Sequence, residues 1–278
     1  AQIVVDDTLA GLTRLGMAGR SRFGGKMVGI TGSVGKTGSK DMLAHILTNF
    51  GKTHASQRSY NNHIGVPLTL SNLPVDSVFA VQEMGMNSAG EIASLTALAQ
   101  PDIAMITRVA STHRGFFDEM RDIATAKAEI FQGLRDGGIA VLNRDDRFFL
   151  QLQTAAIQES AGRTITFGLH DEAEFRLLET RQHIGGMSIR SEIAGHELTF
   201  EMQMHGSHWA QNALGVLACV DGLGLNVELT AASLATCPTP KGRGIRFSGH
   251  YQHCAITLID DSYNASPASM TAAFGSMK

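Results

Sequence analysis

The segment Lys26-Met27-Val28-Gly29-Ile30-Thr31-Gly32-Ser33-Val34-Gly35-Lys36-Thr37 constrains this chain more than any other. An apolar run, MVGI, ends in a tight Gly-Ser-Val-Gly turn, then Lys-Thr, then the helix-compatible stretch DMLAHIL at 41–47. Strand, loop and helix in that order turn backbone N–H groups and a helix N-terminus towards an anion. In such a loop Gly32, Ser33 and Gly35 line the phosphates of a nucleoside triphosphate. Lys36 reaches the β- and γ-phosphates, and the Thr37 hydroxyl ligates Mg2+. Ile30 stands where GxxxxGK[ST] expects its first glycine, so the short motif by itself also fits a glycine-rich turn with a solvated lysine. The strand before it and the helix after it favour the phosphate loop.

Strand-like and helix-like segments alternate through the first 170 residues. Strands are predicted at Met27–Thr31, Ser77–Gln82, Ile103–Val109, Ile139–Leu142 and Thr164–Phe167, with helices at about 39–49, 88–99, 120–134 and 146–160. Short apolar strands between longer amphipathic helices form βαβ units around a sheet covered on both faces. The expected fold class is therefore α/β, a doubly wound and mainly parallel sheet. Residues 174–204 change texture: alternation broken by Gly185-Gly186 and Gly195-His196 predicts a small appended antiparallel sheet. Helix returns at 208–221 and 227–236. A Pro/Gly-rich stretch at 237–244 reads as a linker, and Ala255–Asp260 as the first strand of another unit.

Composition removes several function classes. A net charge of −3 gives no reason to expect a nucleic-acid partner. Cys219, Cys237 and Cys254 are odd in number and lack CxxC spacing, which disfavours a disulfide framework or a zinc site and fits a reducing cytosol. No run of about 18 apolar residues is present to span a bilayer. The chain opens inside an apolar run and stops in an apparent helix from Ser269 to Lys278, so a fragment of a longer protein is expected.

In doubly wound sheets ligands bind outside the carboxyl ends of the strands. Polar residues gather at those ends here: Thr31–Thr37 after the first strand, Glu83 after the second, His113 after the third and Asn143 after the fourth. A carboxylate at a strand end beside a phosphate loop suits a hard Mg2+ ion, the lesser alternative being that Glu83 caps or neutralises something local. Lys127 shares one helix face with Ile123, Ile130 and Leu134, a core-facing position. An ammonium there must snorkel to water, find a partner or be chemically altered.

Taken together these residues resemble the Mur ligases, the ATP-dependent amide-bond ligases of peptidoglycan precursor synthesis. The likeness is carried by GITGSVGKT (29–37), NNHIGVPLTL (61–70), EMGMNSAGEI (83–92), THRGFF (112–117), DIATAKAEIF (122–131), LNRDD (142–146), GSHWAQNAL (206–214), KGRGIRF (241–247) and DDSYNASPASM (260–270), in the family's order. EMGMN and DDSYNASP point to the branch that adds D-alanyl-D-alanine. The resemblance implies three units: a tail of a UDP-sugar domain at 1–20, a central ATP-binding domain at 21–240, and a linker with the start of an amine-delivering domain at 241–278. It implies a carbamylated Lys127 that holds a second Mg2+ together with His113, the first ion lying at Thr37 and Glu83. It also places Asn143 and Asn212 near the adenine, Arg246 near the phosphates, Asp261 near the ribose, and Asn61 and Asn62 in the substrate loop.

The activity so implied joins D-alanyl-D-alanine to a UDP-N-acetylmuramoyl tripeptide through an acyl phosphate, in a monomeric cytoplasmic enzyme. Lys36, Lys127 and His113 are the residues expected to serve catalysis. Two alternatives remain open on sequence: another Mur-type amide ligase, folylpolyglutamate-like or cyanophycin-like, and a non-catalytic nucleotide-binding paralogue. Gly38 departs from the hydroxyl residue usual in the family, and is expected to weaken the first helical turn by roughly 0.5–1 kcal/mol. Arg108 and Ser266 depart as well, each standing where the family has asparagine, and Ser111-Thr112 replace Pro-Ala.

Overall fold

A computed structural model describes residues 4–110, 117, 119–159, 161–263, 265, 267–275 and 277. Its elements in chain order are α1 (Thr8–Arg22), β1 (Lys26–Thr31), α2 (Lys36–Leu47), β2 (Thr53–Ala55), α3 (Gly65–Ser71), β3 (Phe79–Glu83), α4 (Glu91–Ala99), β4 (Ile103–Ile106) and α5 (Met120–Ala128). There follow β5 (Ile139–Asn143), α6 (Phe149–Gln158), β6 (Arg163–Gly168), β7 (Phe175–His183), β8 (Gly186–Ile193), β9 (His196–Met202), α7 (Ser207–Gly222), α8 (Val227–Ser233), β10 (Ile245–Tyr251), β11 (Cys254–Asp260) and α9 (Pro267–Gly275).

One sheet of nine strands organises the chain, in the order β2-β3-β1-β4-β5-β6-β7-β8-β9. Pairing is parallel from β2 to β7 and antiparallel from β7 to β9. The antiparallel strands over 174–204 thus continue the edge of the main sheet. A separate two-stranded antiparallel sheet is formed instead by β10 and β11.

The central parallel strands are largely apolar because both faces are covered, with polar residues gathered towards their ends. Val28, Ile30, Val81 and Met105 meet α2 and α7 on one side. Met27, Ala80, Ile106 and Leu142 meet α4, α5 and α6 on the other. Helix α1 belongs to this body: it lies against α3, and a Cβ added to Gly19 would fall 2.0 Å from the Leu70 carbonyl oxygen. Its buried Arg20 donates to the carbonyls of Ala99 (2.6 Å), Gln100 (2.8 Å) and Phe23 (3.3 Å), which ties the helix to the end of α4. No helix among the described residues is long and apolar enough to cross a membrane.

Strand β1 lies between β3 and β4. The loops that follow these three strands therefore open side by side at their carboxyl ends, and the β5 end joins them across β4.

Candidate functional site

The loop between β1 and α2 turns on two glycines. Gly35 carries φ +87°, and a Cβ there would meet Asn212 Oδ1 at 2.8 Å. A Cβ on Gly32 would fall 1.9 Å from Thr107 Oγ1. That hydroxyl is the clamp of the loop: buried after β4, it lies 2.6 Å from the Val34 carbonyl oxygen and 3.2 Å from that of Thr31. Ser33 is held by its own N–H on the Arg108 carbonyl (2.7 Å) and by its hydroxyl on that of Ala110 (2.9 Å). The N-cap residue Gly35 makes no side-chain cap hydrogen bond at the start of α2, which leaves that helix N-terminus suited to an anion.

Lys36 opens α2 and donates to the Gly32 carbonyl at 2.7 Å, folding back over its own loop. Burial holds its ammonium below the ordinary lysine range, opposed by the negative charge of Glu83 and reinforced by the positive charge of Arg243. Thr37 follows at the helix start, partly buried. Gly38 lies beneath Trp209 of α7: a Cβ there would come within 2.5 Å of the indole. The expectation that Gly38 only weakens the helix gives way to a steric reason for the glycine.

Glu83 ends β3, opposite Ile30 in register, and is 1% exposed. Asn61 Nδ2 donates to Glu83 Oε1 at 2.7 Å, and the Gly85 N–H donates to the Asn61 carbonyl at 2.8 Å. Glu83 Oε2 and Thr31 Oγ1 are buried without a hydrogen-bond partner among the described residues. Unsatisfied buried oxygens are costly. Two at the mouth of a phosphate loop form a hard-oxygen set that fits Mg2+. Among the described residues no group of three His, Cys, Asp or Glu could hold a metal.

Lys127, in α5, is 2% exposed, and its face partners Ile123, Ile130 and Leu134 are buried with it. No carboxylate among the described residues forms an ion pair with it. Burial pushes its ammonium well below the usual lysine value, and the charge of Lys36 pushes it further. His113 lies outside the described residues.

The remaining predicted residues fall into different settings. Asn143 is buried at the β5 end, where Oδ1 accepts from the Asp145 N–H (2.9 Å) and Nδ2 donates to the Thr107 carbonyl (3.3 Å). Its amide braces the two strand ends. Asn212 covers the phosphate loop at Gly35. Asn62 turns its oxygen to the N–H groups of Gly65 (2.9 Å) and Ile64 (3.2 Å), capping α3. Asp261 has its carboxyl raised by burial, against the lowering effect of Arg243.

Arg246 is exposed on β10, and its charge bears on His205. The arginine whose charge reaches Lys36 is Arg243, stacked on Tyr263 at 4.3 Å. Sequence reasoning missed it although it lies in the same quoted motif, KGRGIRF. Its place depends on the turn that bonds Gly244 N–H to the Asp260 carbonyl (2.8 Å) and Tyr263 N–H to that of Gly242 (3.0 Å).

Comparison with known proteins agrees with this geometry. The Mur ligase middle domain matches residues 30–220. The UDP-N-acetylmuramoyl-tripeptide--D-alanyl-D-alanine ligase of Bacillus subtilis (strain 168) is 36% identical over 273 residues, covering 98% of this chain and 57% of its own length. Among solved structures, MurF from Acinetobacter baumannii superposes with a TM-score of 0.89 at 30% identity, covering 98% of this chain and 58% of that one. MurF ligase from Thermotoga maritima in complex with ADP gives 0.85 at 27% identity, with coverages of 97% and 61%. The chain thus spans less than two thirds of the length of these relatives. With the phosphate loop, the β3 carboxylate and the buried α5 lysine on one doubly wound sheet, and a middle-domain match over most of its length, the chain belongs to the Mur ligase family.

Proposed function

We propose that this chain is the ATP-binding part of a ligase that adds D-alanyl-D-alanine to a UDP-N-acetylmuramoyl tripeptide, acting as a monomer in the cytoplasm. The observation that carries the reading is the clamped phosphate loop with Lys36 at its rim and the unpartnered Glu83 oxygen beside it. The names of the relatives favour this branch over folylpolyglutamate-like or cyanophycin-like alternatives. The Thermotoga relative was solved with ADP, which supports ATP as the nucleotide.

In the reaction the γ-phosphoryl group of ATP passes to the terminal carboxylate of the tripeptide, giving an acyl phosphate and ADP. The amine of D-alanyl-D-alanine then attacks the acyl carbon, the C–N bond forms, a proton leaves the nitrogen, and inorganic phosphate departs. The first step brings two anions together. Lys36 and the N–H groups at the start of α2 hold positive potential where they meet. To bond a nucleotide phosphate, Lys36 would exchange its hydrogen bond to the Gly32 carbonyl for one to the phosphate. Mg2+, held by Thr37 and Glu83 with Thr31 at hand, would neutralise phosphate charge. Asn212 stands over Gly35, and the charge of Arg243 reaches Lys36.

Lys127 is read as the carbamylated ligand of a second Mg2+. A lysine 2% exposed without a carboxylate partner among the described residues supports this, since CO2 addition would convert a costly buried cation into an anion. His113 is proposed at the same ion.

Phosphate release from ATP by the protein carrying residues 1–278 tests the reading. It should require both the UDP-tripeptide and D-alanyl-D-alanine, and disappear in Lys127→Ala with partial return on adding short carboxylates. Release that ignores D-alanyl-D-alanine would refute the assigned acceptor chemistry.

A further inference from the structure

One buried charge plays no part in the scheme above. Lys40 lies one turn after Lys36 on α2 and is 2% exposed. Its Nζ donates to the carbonyls of Ser56 and Arg58, both at 2.8 Å, and Asp41 Oδ1 lies 2.8 Å away. A buried ammonium is tolerated only when its charge and its N–H groups find oxygens. Here two of them belong to the backbone of a single short segment.

That segment, 56–61, is fastened at every turn. The Ser56 N–H donates to the Val81 carbonyl at 3.2 Å, and Ser56 Oγ receives the Glu83 N–H at 3.4 Å. Arg58 is held at φ +48°, a left-handed conformation unusual for a side chain of its size. Ser59 bonds the Tyr263 hydroxyl. The segment ends at Asn61, whose amide donates to Glu83 Oε1 and leaves Oε2 unpartnered.

We propose that Lys40 is a positioning residue for the metal site: by gripping the Ser56 and Arg58 carbonyls it fixes Asn61, and Asn61 fixes which Glu83 oxygen faces the phosphate loop. The inference rests on the nucleotide and metal reading given above. Lys36 and Lys40 then divide the labour of one helix face. The first addresses the nucleotide, and the second holds the loop that aims the carboxylate.

The test follows binding of a fluorescent ATP analogue to the chain while Mg2+ is titrated, with melting curves for every variant. Lys40→Met keeps the volume and removes the grip. It should raise the Mg2+ concentration for half-maximal binding about tenfold, as loss of an outer-shell partner does, with Mg2+-free binding unchanged. In an Asn61→Ala background the same substitution should change that concentration by less than about twofold, because the route through Asn61 is already cut. A purely structural lysine would lower the melting temperature and leave the Mg2+ requirement where it was.

An Mg2+ requirement unchanged in Lys40→Met, or additive effects in the double variant, overturns the proposal. Should Lys40→Met fail to fold, Arg58→Pro takes its place. Proline cannot adopt positive φ, so this exposed position withdraws its carbonyl from Lys40 without touching the core. A folded Arg58→Pro with a wild-type Mg2+ requirement overturns the proposal equally. If the wild-type chain binds no analogue at any Mg2+ concentration, the nucleotide reading itself fails, and this inference with it.

Discussion

Replacing Gly38 by alanine should destabilise the protein, against the trend for glycines inside helices. Helix propensity alone favours alanine by about 1 kcal/mol. The structure opposes that gain: the new Cβ would lie 2.5 and 2.7 Å from two carbons of the Trp209 indole. Restoring ordinary contact requires the ring to retreat by roughly 1 Å through a densely packed interior. Trp209, carried by α7 against α2, is 6% exposed, and its ring is rigid, so nothing flexible absorbs the move. Overpacking of this kind costs about 1–3 kcal/mol, and a rigid neighbour places it in the upper part of that range. The net loss is then about 1–2 kcal/mol, a fall in melting temperature of about 2–8 °C. Urea unfolding followed by circular dichroism measures it. Trp209→Phe removes the clashing carbons, so in that background Gly38→Ala should be neutral or stabilising by up to about 1 kcal/mol. A Gly38→Ala protein as stable as wild type, or equally destabilised in both backgrounds, would refute the steric account.

Three further expectations concern the rest of the molecule. His208 of α7 is pushed down to about 4 by burial, so the unfolded chain takes up its proton first as the pH drops. Its contribution to stability is complete above the unfolded value of about 6.5 and is lost as the pH falls towards 4; His208→Gln should flatten the difference in urea midpoints across that window. Arg20→Ala strands the carbonyls of Ala99, Gln100 and Phe23 and should cost about 2–4 kcal/mol in the same assay. Cys219 and Cys237 are buried, the latter thiol pushed up to about 12, whereas Cys254 is exposed. A thiol reagent should therefore titrate one cysteine in the native protein and three after denaturation.

The parallel sheet was legible because its strands are short apolar runs bounded by turns, and burial on both faces leaves little else for them to be. β1 and β5 lie within a residue of where periodicity places them, whereas β4 stops at Ile106, three residues short of the expected Val109, and β3 starts at Phe79 and runs on to include Glu83. Helix α1 was not legible: it meets α3 through glycine and holds α4 through one arginine, so its apolar stripe is thin. β2 spans three half-buried residues and carries no periodic signal. β10 reads IRFSGHY, a polar pattern that becomes a strand only by pairing with β11.

Within the site, the phosphate loop and the core-facing Lys127 were visible because each depends on local spacing. The fit of Gly38 under Trp209, the reach of Arg243 towards Lys36 and the grip of Lys40 on the Ser56 and Arg58 carbonyls depend on partners brought in by the fold. No spacing along one segment reports them. The two hydrogen bonds of Asn143 belong to the same class, since they record where β4 and β5 end.

The central claim is that Lys36, Thr37 and Glu83 form a site for ATP and Mg2+. Calorimetric titration of the chain with a non-hydrolysable ATP analogue, with and without Mg2+, tests it directly. The account predicts binding at one site that Mg2+ strengthens. Lys36→Met should weaken it tenfold or more, in line with about 1.5–3 kcal/mol for a charged hydrogen bond, and Glu83→Gln should abolish the Mg2+ effect while sparing Mg2+-free binding. Affinity indifferent both to Mg2+ and to the loss of Lys36 would contradict it.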